Sequence, residues 1–102
     1  NAIAVTVSVR SAAGGADGHV FAVEAWLSNA PAGTVTGSPP NGAVSWTTGA
    51  VIEEIAAKAR WTVLTGATGE ATLSVGHSTT GTWYLNAAVD GRVWSSAAIA
   101  FV

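Results

Sequence analysis

The sequence predicts an all-β sandwich. Apolar and polar residues alternate with period two along about seven short runs, Gly, Pro, Asn and Asp punctuate the chain between those runs, and only one segment also fits helical spacing. At 102 residues there is room for one core and not for two, so residues 1–102 are expected to form a single domain. Because it begins at Asn1 and contains no Met, the chain is expected to be a fragment of a longer polypeptide.

AIAVTVSV, residues 2–9, places Ile3, Val5, Val7 and Val9 on one face and Ala2, Ala4, Thr6 and Ser8 on the other, the pattern of a half-buried strand. RSAAGGADG is turn material. In HVFAVEAWLS, Phe21, Val23, Ala25 and Leu27 share one face, and Val20, Ala22, Glu24 and Trp26 the other. The charge of Glu24 marks its face as outward. Residues 29–42, NAPAGTVTGSPPNG, hold all three prolines and three glycines, an irregular connection with at most a short edge strand at 34–36.

AVSW, residues 43–46, is a brief strand. AVIEEIAAKAR supports two readings: a short helix near 51–59, with Val51, Ile55 and Ala59 at helical spacing, or a strand over 51–55 turning at 56–58. RWTVLT, with Trp61 and Val63 on one face, is followed by the turn GATG and by EATLSV, with Ala71, Leu73 and Val75 inward, and the three read as a hairpin.

LNAAVDGRVWSSA, residues 85–97, reads as a further hairpin with two candidate registers. A two-residue Asp90-Gly91 turn pairs Val89 with Arg92 and Ala87 with Trp94, and it puts Arg92 on the face of Trp83 and Leu85. A three-residue loop, with Gly91 supplying a left-handed residue, pairs Ala87 with Val93, Leu85 with Ser95 and Trp83 with Ala97. The second closes the apolar face and is the expected one. It extends the buried row through Ile99 and Phe101 and leaves Tyr84, Asn86, Arg92, Trp94 and Ser96 outward. With chain length considered, the expected arrangement is an Ig-like sandwich of about seven strands with Greek-key connections.

Composition narrows the chemistry. With no Cys, disulfides and thiolate metal sites are excluded. The net charge is −2, and Arg10, Lys58, Arg60 and Arg92 stand singly, so no basic stripe offers itself to a phosphate backbone and no nucleic-acid partner is expected. No apolar run approaches the ~20 residues needed to cross a bilayer, so no membrane insertion is expected. Only 10% of residues are charged, and so sparse a charge leaves little to oppose association.

No catalytic constellation stands out. Ser78, His77 and Asp17 supply the residue types of a triad, but adjacent Ser and His do not define base-to-nucleophile geometry. Asp17, His19 and Glu24, or Glu53 and Glu54, show no metal-ligand spacing, and Glu53, Glu54 and Lys58 fit a solvated helical i,i+4 arrangement. No enzyme activity, cofactor or metal is expected. The five tryptophans are the unusual element. Trp61 and Trp83 match apolar faces, whereas Trp26 and Trp94 fall on polar ones. Trp94, Tyr84, Asn86, Arg92 and Trp26 therefore form the candidate interface, either an anchor for a protein partner or a platform on which a sugar stacks.

AVEAWLSNAPAGTVTG, followed by VLTGATGEATLSVGHSTTGTWYLNAAVDGRVWSSAAIAF, resembles the Ig-like modules of virion proteins of tailed bacteriophages: capsid fibres, decoration proteins and tail components. The resemblance covers residues 20–102. The second part is also similar to bacterial Ig-like domains of the invasin and intimin type, from which SPPNGAVSWTTGAVIEEIAAKA departs. The resemblance implies a non-enzymatic structural module of a virion, with other virion proteins or copies of itself as partners, or a host-surface glycan or receptor. The alternative it implies is a carbohydrate- or receptor-binding module of an adhesin on a bacterial cell surface.

Overall fold

A computed structural model describes residues 2–8, 21–66, 69–89 and 91–102. Among them are nine strands and no helix: β1 Ala2–Ser8, β2 Ala22–Ser28, β3 Val44–Thr48, β4 Ala50–Ala56, β5 Arg60–Leu64, β6 Glu70–Gly76, β7 Gly81–Val89, β8 Arg92–Ser95 and β9 Ile99–Phe101. They form two antiparallel sheets packed as a sandwich. One has the order β1-β6-β3; the other runs β4-β5-β2-β7-β8, with β9 also paired to β7.

The alternating runs place the core between the sheets. β1 pairs with β6 so that Val5 faces Leu73 and Val7 faces Ala71, while the outward Thr6 and Thr72 hydroxyls bond at 2.9 Å. In the larger sheet Trp61, Ala25, Ala87 and Trp94 are successive partners across four strands, so two small residues lie between two indoles on the inner face. Leu27, Val63, Leu73, Val75 and Leu85 are wholly excluded from water, and burial of such side chains contributes roughly 1.5–3 kcal/mol each. Trp46 of β3 meets Trp61 edge-on across the core at 5.7 Å.

Two open readings are decided and two expectations need correction. The segment at 51–59 is strand β4 and a turn, not a helix. Lys58 adopts φ 58°, the Ala59 N–H bonds the Ala56 carbonyl, and β4 pairs with β5 with register shifts around Ile52 and Ile55. Helical spacing would have needed Val51, Ile55 and Ala59 to share a buried face, yet only Ala59 is buried. Pairing to β5 overrides the local propensity.

β5 and β6 are not a hairpin. β5 pairs with β4 and β2, and β6 with β1 and β3, so the two strands belong to different sheets. Inward faces that meet across a core have the same alternation as faces adjacent in one sheet, and the sequence pattern does not separate the two. The middle of the GATG turn, residues 67–68, lies outside the described residues, as do Val9, the RSAAGGADG turn, His19 and Val20.

The final hairpin takes the two-residue register. Val89 pairs with Arg92, Ala87 with Trp94 and Asn86 with Ser95; Gly91 has φ 76°, as expected for it, while Asp90 lies outside the described residues. The objection to this register was an inward Arg92, but at the hairpin tip the inner side meets water: Arg92 is exposed and Val89 only half-buried. An extra residue then restores the apolar row. Between the Asn86–Ser95 and Trp83–Ile99 pairs, three steps along β7 match four along β8 and β9. Ser96 sits at this irregularity, its N–H donating to the Leu85 carbonyl and its hydroxyl accepting the Leu85 N–H at 3.0 Å. Ile99 and Phe101 are thereby buried, as the sequence predicts, though opposite Trp83 and Gly81.

Residues 34–36 form no strand. They fold back on β2, where the Thr36 N–H donates to the Leu27 carbonyl at 2.8 Å and the Thr36 hydroxyl to Asn29 Oδ1 at 2.7 Å.

Candidate functional site

The five candidate interface residues do not share one face. Cross-strand partners project to the same side of a sheet, so Trp26, Tyr84 and Asn86 belong to the outer face of the larger sheet, while Trp94 and Arg92 lie on the side of Ala87 and Val89. The expected platform of Trp94 with Tyr84 is not assembled. Trp94 is nonetheless 45% exposed, because it stands at the sheet edge.

Asn86 is on the outer face and yet fully buried, because the connection after β2 covers it. Its carboxamide oxygen accepts the Ala32 N–H at 3.0 Å, and its nitrogen donates to the Ser28 hydroxyl at 2.8 Å and to the Trp26 carbonyl at 3.2 Å. The Ala32 N–H also reaches the Ser95 hydroxyl at 3.2 Å. Asn86 thus anchors the loop and is withdrawn from any ligand.

That loop walls a cleft. Outer-face side chains Glu24 and Trp26 of β2 and Arg60 of β5 form one side, and Gly33, Thr34 and Val35 the other, around a volume of about 450 Å³. Register creates the cluster: Trp26 is directly opposite Arg60, and Glu24 is opposite Thr62, so Glu24 and Arg60 are diagonal neighbours. The two form an ion pair, each partly exposed. The Trp26 indole N–H donates to the Gly33 carbonyl at 2.8 Å, which pins the ring against the loop. Arg60 Nε is buried and has no hydrogen-bond partner among the described residues.

His77 is held by its loop. Nδ1 accepts the Asn41 N–H at 3.0 Å, Nε2 lies 3.1 Å from the Thr79 hydroxyl, and the ring meets Trp83 edge-on at 4.5 Å. The Ser78 hydroxyl accepts from Asn41 Nδ2 at 3.0 Å. Both His77 nitrogens therefore have partners other than Ser78, and Asp17 lies outside the described residues. A shallow depression of about 300 Å³ beside this loop also touches Gly42, Ser45 and Ser74.

Glu54 is not part of a helical pair. Its carboxylate accepts the Trp61 indole N–H at 3.1 Å and the Lys58 backbone N–H at 3.2 Å. Among the described residues no three His, Cys, Asp or Glu side chains gather to hold a metal, and no helix is long and apolar enough to cross a membrane.

Among the described residues, the large apolar side chains left in water, the terminal Val102 apart, lie on two strands. Val51, Ile52 and Ile55 lie on β4, and Val93 and Trp94 on β8, all between 45% and 56% exposed. These strands are the opposite ends of the larger sheet's strand order.

The sequence pattern marks Glu24 and Trp26 as outward, but it does not show that β5 would lie beside β2 and deliver Arg60. Thr34 and Val35 fall in a segment with no periodicity to read. No family model, curated protein or solved structure matches the chain.

Proposed function

We propose that this domain is a non-catalytic, Ig-like structural module of a phage virion, from a head fibre, decoration or tail protein, that packs laterally against neighbouring subunits or attaches to a host surface. The sequence resemblance supplies the virion context. The observation that carries the assembly role is the concentration of exposed aliphatic and aromatic side chains on β4 and β8, since apolar edges are where strands recruit partners. The pairing of β1 with β6 in one sheet and of β2 with β7 in the other, each between strands far apart in sequence, supports Greek-key wiring of the Ig type.

Sedimentation analysis tests this reading. Concentration-dependent association up to about 1 mM is expected, and it should be weakened by Ile52→Lys or Val93→Lys with little change in melting temperature. A monomer throughout that range, with both variants indistinguishable from the parent, would argue against lateral assembly.

A second reading, a carbohydrate- or receptor-binding module of a bacterial surface adhesin, is favoured by one observation: the cleft beside Trp26.

A further inference from the structure

We propose that the cleft between the β2–β5 outer face and residues 33–35 binds a neutral pyranose, with Trp26 as the stacking surface and the Glu24–Arg60 pair as the hydroxyl reader. The proposal rests on the adhesin reading and deepens it by naming the site and the ligand chemistry; it is independent of the assembly at the sheet edges.

Three features select this ligand. The Trp26 indole N–H is already committed to the Gly33 carbonyl, so the ring offers its carbon surface rather than a donor, and an aromatic surface suits the flat array of C–H bonds on one side of a pyranose. Glu24 and Arg60 neutralise each other, which removes the net positive charge that a phosphate or carboxylate ligand would need. A carboxylate only accepts and a guanidinium only donates, so side by side they match a vicinal diol, in which one hydroxyl donates to Glu24 and its neighbour accepts from Arg60.

Thr34 brings a further hydroxyl and Val35 apolar surface to the other side of the cleft. The volume of about 450 Å³ lies within the range of small-ligand sites.

The test is a titration of the isotopically labelled chain, followed through the Trp26 indole N–H and Arg60 Nε–H resonances. The probes are methyl α-mannopyranoside, methyl β-galactopyranoside and methyl β-glucopyranoside, which together sample cis and trans diols. Mannitol, with the hydroxyls but no ring face, is the control. Saturable shifts of both resonances with at least one glycoside, at a Kd of about 1–10 mM, and none with mannitol are expected. Trp26→Ala should abolish them. Glu24→Gln, which keeps the side-chain shape at a partly exposed position, should weaken binding about tenfold or more with an unchanged melting temperature, so that loss of binding is separable from loss of fold.

Shifts at other residues that survive both substitutions would overturn this site and leave the adhesin reading standing. Equal shifts with mannitol would overturn pyranose recognition. Absence of any shift with all three glycosides would overturn the proposal and remove the observation that favours the adhesin reading.

Discussion

The carboxamide of Asn86 on β7 donates to the hydroxyl of Ser28 on β2 at 2.8 Å, with both side chains fully buried. The same carboxamide accepts the Ala32 N–H, so one residue joins two strands and the loop that walls the cleft. Asn86→Ala should therefore destabilise by about 2–4 kcal/mol, since it removes several bonds and strands buried polar groups. Urea denaturation measures this, and a change under about 0.5 kcal/mol would show that the network contributes little.

Trp83 and Leu85 carry the inner face of β7, and both are buried. Trp83 also donates its indole N–H to the Ser38 carbonyl at 3.0 Å and meets Phe101 at 6.0 Å. Either residue changed to Ala should lower stability by about 2–5 kcal/mol, whereas Trp83→Phe should cost less because much of the ring packing survives. Similar losses for Trp83→Ala and Trp83→Phe would assign the effect to the hydrogen bond rather than to packing.

Trp94 and Val93 separate the two sides of the edge strand β8. Trp94 faces the core side, 45% exposed, and Val93 the outer side, 55% exposed. Trp94→Ser should cost the folded domain about 1–2 kcal/mol for its buried part, and Val93→Ser no more than about 0.5 kcal/mol. The reverse order, with Val93→Ser the costlier change, would return Trp94 to the outer face and restore the three-residue loop.

Glu53 and Glu54 are adjacent, exposed and unequal. Glu54 holds the Trp61 indole N–H and caps the turn at Lys58, so Glu54→Leu should destabilise by about 1–2 kcal/mol, while Glu53→Leu should stay within about 0.5 kcal/mol. Thermal denaturation of the two variants side by side decides it; equal effects would mean that the Trp61 N–H gains nothing from Glu54.

Gly49 joins β3 to β4 with φ 88°, and a Cβ there would lie 2.6 Å from the Leu64 carbonyl oxygen. Gly49→Ala should thus cost about 1–3 kcal/mol, from the left-handed backbone and from contact with a carbonyl that has no flexible end to yield. Unchanged stability would show that this turn relaxes freely.

Outside β8, whose two faces the expected loop register reversed, the sequence by itself determined which residues face inward. Val7, Val23, Ala25, Leu27, Trp61, Val63, Ala71, Leu73, Val75, Trp83, Leu85, Ile99 and Phe101 were all legible as buried positions, and all are buried, because period-two alternation is a property of each strand alone. Tertiary structure alone decided which strands are neighbours. Alternation is identical whether two strands share a sheet or face each other across the core, which is why β5 and β6 read as a hairpin although they lie in different sheets. The same limit hid the candidate site. Arg60 meets Glu24 and Trp26 only because β5 pairs with β2, Asn86 is buried only because a loop more than fifty residues away in sequence folds over it, and Trp94 is half in water because the sheet ends there. Local chemistry sets a side chain's direction; what it meets depends on the register and extent of surfaces brought together from distant parts of the chain.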